Sequence, residues 1–528
     1  MADRRRWWDK VFFRSEDGYE MLFWCVAGGL FLFHLLYIWL TPFDLSPDEA
    51  YYWDWSRHLA MGYYSKPPMV AWLIALFTKL GGTHSFFVRV GAALFSLGST
   101  VVLFYLGRIM FNARTGLWAV LIANATPGFA VGSVIMTIDP PLIFFWGFTI
   151  LLLQRAVSNK GNGYWYMAGI SLGFGLLCKY TMVAVVPSFL CYLVFAPGKK
   201  RWLRRREPYL FILIGLLMLA PTLYWNYSNQ WTSVAQPAGL VDNRNLSSFT
   251  TFLWFFGPQA GILSPLIFLL VLYGLWQGGI RAIANRDDRY SFLFWHAMPL
   301  FAFFLILSLF SVCYVNWAAP AYFTAFILAV AAVGENKRWR IRVKKRILFW
   351  ALLIGIITSS LLFAMDRARK VAVASIDLWA NISGTQISGV KVIPAEKFFS
   401  NRLLGWRELG AEVTKLLDAV GREHTFLISY KRDYVSELAF YVQGNPSVYL
   451  LNLSGRIESQ YDLWEGFEDK VGFNALYVTK LDRDPPESFA RAFDSVTAIK
   501  TIKIYVGKEV INGFSIFYCR GFHGLKGT

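Results

Sequence analysis

Charge is scarce in this chain. Only 16% of its 528 residues are Asp, Glu, Lys or Arg, against about 25% in soluble domains. That excludes a string of ordinary soluble domains, and the 56% hydrophobic content excludes disorder. Cysteine is nearly lacking: five cannot staple a secreted scaffold of this length. Cys25, Cys178, Cys191 and Cys313 fall in or beside apolar runs, which leaves Cys519 alone in the C-terminal part and predicts no structural disulfide there. The six histidines show no His-x-x-His spacing, so a metal site has no support, and no Walker-type phosphate loop occurs. What abounds is aromatic. The 22 Trp, 26 Tyr and 46 Phe exceed what one soluble core could hide, and a polytopic membrane protein remains.

Apolar runs long enough to cross ~30 Å of hydrocarbon recur near 21–41, 86–106, 117–136, 140–157, 164–179, 181–196, 209–227, 250–275, 291–312, 315–333 and 347–365. They predict eleven spans. Roughly 25 Lys and Arg fall on the side that holds the N-terminus and about 5 on the other, which by the positive-inside rule makes the N-terminus cytoplasmic. The net charge of +18 is absorbed by this: the basic runs at 199–206 and 337–346 flank spans, where topology and anionic membrane lipids explain them, and nucleic acid is excluded as a partner. An odd number of spans puts the C-terminal part outside the cytoplasm. The predicted organisation is a cytoplasmic segment 1–20, a transmembrane domain 21–365 with a first outside loop 42–84, a linker 366–400 and an extracytoplasmic α/β domain 401–528. In that domain 425–430, 447–452, 474–479 and 500–506 read as strands, with helices near 406–420, 433–443 and 486–494.

The first outside loop carries the chemistry. At ~40 residues it is too long for a simple connection, and two short helices on the membrane surface are the natural reading. Ser46-Pro47-Asp48-Glu49 starts the first: Ser46 as N-cap, Pro47 at the first helical position, Glu49 closing a capping box. At 100° per residue Asp48 shares a face with Tyr52 and Trp55, so its carboxylate stands over an aromatic stripe, and a partly dried carboxylate there suits a general base. Lys66 precedes Pro67-Pro68 and is therefore extended. It stands at the start of the next helix, where a cation opposes the dipole unless an anion such as a lipid phosphate lies between them. Asp139, before Pro140-Pro141, is a natural N-cap for the fourth span, and an acid at that interface is also a function candidate. Trp225-Asn226 and Asn316-Trp317 lie at outer span ends, where the Trp rings could stack on a sugar and the amides bond its hydroxyls; belt aromatics are the plainer reading.

Pro47-Asp48-Glu49-Ala50-Tyr51-Tyr52, Gly62-Tyr63-Tyr64-Ser65-Lys66-Pro67-Pro68, Asp139-Pro140-Pro141, Trp225-Asn226 and Asn316-Trp317-Ala318-Ala319-Pro320 together resemble the C-type, polytopic glycosyltransferases. The likeness is to bacterial relatives of the dolichyl-phosphate-mannose:protein mannosyltransferases and of the lipid A aminoarabinose transferase, and it covers about residues 40–330. It implies a GT-C-like fold and a sugar donor linked through one phosphate to a long polyprenol. It also implies no metal, nucleotide or other cofactor, and catalytic roles for Asp48 and, behind it, Glu49 and Asp139. Lys66, with Tyr63 beside it, is implied to meet the donor phosphate, and Tyr52, Trp225, Asn226, Asn316 and Trp317 the sugar or acceptor. The expected acceptor is an envelope glycolipid, polysaccharide or protein, reached by inverting transfer outside the cytoplasmic (inner) membrane. A lipid or solute transporter is the alternative; it would call for midplane charges or matching halves, and neither is evident.

Overall fold

A computed structural model of the chain describes residues 15–158, 160–239, 248–364, 402–506 and 509–525. The expected linker 366–400, and all of the N-terminal segment but residues 15–20, lie outside them. The chain divides into two compact units, one of Met1–Leu40, Lys66–Val70 and Arg89–Phe363 and one of Thr41–Ser65, Ala71–Val88 and Ala364–Thr528.

The first unit is helical. Among the described residues eight helices are long and apolar enough to cross a membrane: Glu16–Leu40, Ser85–Met110, Asp139–Val157, Glu207–Ser228, Pro265–Ile283, Asp288–Leu307, Val315–Glu335 and Ile341–Phe363. Four of the expected eleven segments take another form. The run 117–136 is broken at Ala125-Thr126 into Ala113–Asn124 and Pro127–Gly132. Gly163–Cys178 and Tyr180–Phe195 stay below span length, divided where Lys179 leaves helical geometry (φ −160°, ψ 135°). The run 250–275 is two helices, Ser248–Leu263 and Pro265–Ile283, parted at Ser264, whose φ of 69° no continuous helix tolerates. Small residues set the close approaches. A Cβ at Gly274 would stand 2.5 Å from the Ala329 Cα, so only glycine lets Pro265–Ile283 meet Tyr322–Glu335 at that distance.

The second unit is a five-stranded sheet with helices. Its strands are β1 Thr425–Ser429, β2 Val448–Leu450, β3 Asn474–Lys480, β4 Phe493–Val506 and β5 Glu509–Phe522, in the order β2-β1-β3-β5-β4. β1 runs parallel to β2 and β3; β5 is antiparallel to β3 and β4. All five β1 residues are buried, as expected of a central parallel strand covered on both faces. Phe426, Ile428, Tyr477, Phe489, Phe517 and Phe522 belong to one core cluster. The helices at Trp406–Val420 and Arg432–Tyr441 match expectation. The segment 486–494 does not: it holds one turn, Glu487–Ala490, and then enters β4.

This unit also contains Thr41–Ser65 and Ala71–Val88, most of the loop expected at 42–84. The helix Pro47–Arg57 begins as the sequence dictates, with Ser46 accepting from the Glu49 N–H and Glu49 from the Ser46 N–H at 2.9 Å. It is not a lone surface helix, since nine of its eleven residues are buried. It packs on Arg432–Tyr441, with Trp53 edge-on to Phe440 (4.9 Å) and the Tyr441 hydroxyl accepting from the Leu45 N–H (2.7 Å). The Tyr51 hydroxyl accepts from the Gln460 N–H, and Tyr461 donates to Asp54 at 2.8 Å. Loop residues 41–65 are thus part of the sheet unit's fold.

Candidate functional site

In the helical unit the fourth span starts at Asp139 itself and its preceding residue makes no side-chain cap, so the expected N-cap role is corrected. The carboxylate turns elsewhere: Lys179 donates to Oδ1 at 2.9 Å and Asn316 to Oδ2 at 2.7 Å. The Lys179 and Asp139 side chains are only 11% and 21% exposed. Lys179 reaches Asp139 because the helix ends at Cys178 and the chain there is extended; Asn316 is presented by the 3-10 turn Val315–Ala321. Asp139 and Asn316 line a cavity of about 400 Å³ whose other walls are almost wholly apolar, among them Phe129, Ile135, Ile143 and Phe326. That volume lies in the range of small-molecule sites.

The remaining candidates of this unit part company. Asn226 is fully buried; it donates to the Tyr180 hydroxyl (3.0 Å) and the Thr222 carbonyl (2.9 Å) and accepts from Ser233 (2.6 Å). It latches helices together instead of facing a sugar. Trp225 and Trp317 are half-buried, Trp317 against Phe304 and Tyr314. Lys66 is half-buried and stands three residues ahead of the helix Met69–Gly81.

In the sheet unit Asp48 is not dried by its aromatic neighbours, for its side chain is 53% exposed. Arg432 donates to Asp48 Oδ1 at 3.0 Å, with its guanidinium 4.8 Å from the Tyr51 ring centre, while Asp48 Oδ2 has no partner among the described residues. Glu49, in contrast, is fully buried and held by the capping box. Tyr52 is buried, edge-on to Trp55 at 5.1 Å, and offers no face to a sugar. Tyr63 is buried as well: its ring stacks on Trp55 at 4.5 Å, and its hydroxyl lies 3.1 Å from the carbonyls of both Trp55 and His58. Burial pushes that phenol up to about 12, and nothing in this arrangement presents it to a phosphate.

Two acids of the loop are buried where the sequence gave no sign of it. Burial pushes Asp44 up to about 6, against the opposing pull of the Trp406 N–H and Arg407. Burial likewise raises Asp54, opposed by Arg57 and Tyr461. Asp433, at the head of the helix Arg432–Tyr441, goes the other way: burial works to raise it, but Arg432 and Lys431 outweigh that and hold it below its ordinary value. Lys179, Lys431, Arg432 and Asp433 were missed by sequence reasoning. A lysine interrupting an apolar run was the available signal for the first; a charged run just after a parallel strand was the signal for the others.

Comparison with known proteins agrees with the fold and motifs. Residues 65–225 match the family described as dolichyl-phosphate-mannose-protein mannosyltransferase. The chain is 27% identical to the lipid A galacturonosyltransferase RgtD of Rhizobium johnstonii over 461 residues, 86% of this chain and 90% of that one. It is 25% identical to the undecaprenyl phosphate-alpha-4-amino-4-deoxy-L-arabinose arabinosyl transferase of Edwardsiella ictaluri, over 58% of this chain and 59% of that one. The crystal structure of ArnT from Cupriavidus metallidurans bound to undecaprenyl phosphate superposes with a TM-score of 0.60 at 16% identity, covering 96% of this chain and 98% of that one. In sequence and in fold the chain is thus similar to multi-pass membrane glycosyltransferases. Within that class the matches include transferases of both lipid A galacturonate and aminoarabinose, so the sugar differs among them.

Proposed function

We propose that the protein moves a sugar from a polyprenyl-monophosphate donor to an envelope acceptor, a lipid A-type glycolipid first among them, outside the cytoplasmic membrane and with inversion. The observation that carries this is the apolar cavity of the helical unit with Asp139, paired to Lys179, and Asn316 on its wall. A prenol chain needs dry walls, and its headgroup needs polar partners where they end. The RgtD and ArnT likenesses support the reading: one acts on lipid A and the other was crystallised with undecaprenyl phosphate.

In this reading residues 21–365 are the catalytic membrane domain, the N-terminus is cytoplasmic and 401–528 is extracytoplasmic. The acceptor hydroxyl passes its proton to Asp48 through Oδ2, which no described residue occupies, as it attacks the anomeric carbon, and the glycosidic C–O bond to the phosphate breaks. The polyprenyl phosphate leaves with its charge met by Lys66. Asn316 and Trp317 remain proposed sugar or acceptor contacts, with Trp225.

The test is transfer by the purified full chain in nanodiscs, with undecaprenyl-phosphate sugars and lipid A, read by mass spectrometry. Asp48→Asn is expected to keep donor binding and lose turnover by about 10²–10⁴-fold, the usual share of a general base. Full activity in that variant would remove Asp48 from the mechanism.

A further inference from the structure

The helical unit holds a second pocket that the proposed transfer does not use. It lies between Pro265–Ile283 and Asp288–Leu307, encloses about 530 Å³ and is lined by apolar residues, among them Leu275, Trp276, Ile283, Phe294 and Phe301. Gly279 lets the two helices close on its floor, since a Cβ there would stand 3.1 Å from the Phe294 ring. On the first helix the lining runs from Leu272 to Ala284, a rise of about 18 Å at 1.5 Å per residue. That is close to half of the ~30 Å hydrocarbon core, the depth of one leaflet. The cavity beside Asp139 lies at the other end of this helix: Gly261, Ile262 and Leu263 line it just before Pro265.

Where the groove ends, positive charge is in excess. The acids there are already engaged: Asp287 with Arg289, Asp288 with Lys199 and Glu335 with Arg281. Arg286, Lys337, Arg338 and Arg340 are exposed and have no acid partner among the described residues. Arg286 stands on the rim, two residues past Ala284. The other three belong to a turn that is fastened to the pocket's own helix. Asn336 donates to the Tyr273 hydroxyl at 2.8 Å and accepts from the Arg338 and Trp339 N–H groups at 2.9 and 3.2 Å. Trp339 stacks on Tyr273 at 5.2 Å, and Tyr273 lies 6.2 Å from the ring of Trp276, which lines the pocket.

The geometry points to a binding site for an anionic glycerophospholipid of the bilayer, with one acyl chain in the groove and its phosphate headgroup on Arg286 and the basic turn Lys337–Arg340. Dry walls take the chain, and the rim cations select a charged headgroup over a zwitterionic one. A polyprenyl phosphate shares this chemistry but not the dimensions. Its long chain overruns a groove one leaflet deep, and the cavity proposed for it lies at the opposite end of the helix.

The experiment titrates the purified full chain, stripped of lipid in detergent, with phosphatidylglycerol, phosphatidylcholine of the same acyl chains, or undecaprenyl phosphate, and reads bound lipid by native mass spectrometry. Wild type is expected to bind one phosphatidylglycerol about tenfold more tightly than phosphatidylcholine. Arg286→Gly with Lys337→Gln removes two rim charges from exposed positions, and glycine accepts the φ of 53° at 286 without strain. This variant should bring the two phospholipids within about twofold of each other. Ala284→Phe fills the mouth from an exposed position and should weaken phosphatidylglycerol binding severalfold with every charge in place. Equal binding of the two phospholipids by wild type, or a preference unmoved by the charge variant or a binding unmoved by Ala284→Phe, overturns the site. Undecaprenyl phosphate bound more tightly than phosphatidylglycerol, and lost in Ala284→Phe, gives the pocket to the donor lipid and overturns the phospholipid assignment.

Discussion

Replacing Lys179 by Met removes the cation from a pair that is 2.9 Å long and largely out of water. Breaking a buried ion pair from one side costs about 3–5 kcal/mol, because the remaining charge stays where it is poorly solvated. Here Asp139 keeps the Asn316 amide at 2.7 Å and is 21% exposed, so the lower end, about 3 kcal/mol, is expected. Asp139→Asn should cost about 2 kcal/mol for the mirror reason, since the ammonium can still turn toward water. The double variant Lys179→Met with Asp139→Asn buries no charge and should cost about 1 kcal/mol, less than either single change, as neutral replacements of buried pairs often do. Melting at one scan rate in nanodiscs reads this cycle, with a fall of roughly 5 °C for Lys179→Met in a unit of this size. The double variant should recover most of that fall yet transfer no sugar at the wild-type rate, because Asn316 loses the carboxylate that holds it. Single effects that simply add would mean the two groups do not interact and would refute the pairing on which the cluster rests.

Asp44 predicts a pH dependence of stability. Its carboxyl is raised on folding from 3.8 to about 6 by burial, so the folded chain holds the extra proton. The stabilisation is fully present below about pH 4 and is lost as pH rises through 6, by about 3 kcal/mol over the two-unit shift. Melting of wild type and Asp44→Asn from pH 4 to 7.5 checks it: the wild-type curve should fall across this window and the variant's should be flatter, and parallel curves would count against it. Tyr63→Phe removes one hydroxyl from three backbone contacts, at Trp55, His58 and Ala60, and should cost about 1–2 kcal/mol with the KM for donor unchanged. A raised donor KM at unchanged stability would restore Tyr63 to the phosphate site.

Local physics was readable in the sequence and distant pairing was not. The capping box at Ser46 and Glu49 needs four consecutive residues, and β1, β2 and β3 needed only their short apolar runs. Only the 500–506 part of β4 reads as a strand in the sequence; the rest of the β4–β5 hairpin escaped for a local reason. β4 carries irregularities at Ala498/Lys500 and Ile504/Tyr505 that shift its alternation from one face to the other, and Asn512-Gly513, a turn signal elsewhere, lies inside β5. Lys179 counted only as one charge on the outer side, because its partner is forty residues away. Arg432 and Asp48 are 384 residues apart, and no periodicity links them. A short loop helix that reads as amphipathic can equally be the missing side of a neighbouring domain, and nine buried residues of eleven decide for the second.

Asp48 remains the proposed base, but for a different physical reason than burial. An aromatic stripe was to dry the carboxylate; instead Arg432 holds one oxygen and leaves the side chain half in water. A general base needs a lone pair that the protein has not already used. Asp139 has both oxygens taken, by Lys179 and Asn316, and Asp54 has both taken, by Arg57 and Tyr461. Asp44 divides its two between Arg407 and the Trp406 N–H, and Glu49 is spent on its own helix start. Among these acids Asp48 alone combines exposure with an oxygen that no described residue occupies. The division implies two different failures: loss of Asp139 should disturb the cavity wall and lower stability together with activity, whereas loss of the Asp48 carboxylate should leave a stable, donor-binding protein that turns over slowly.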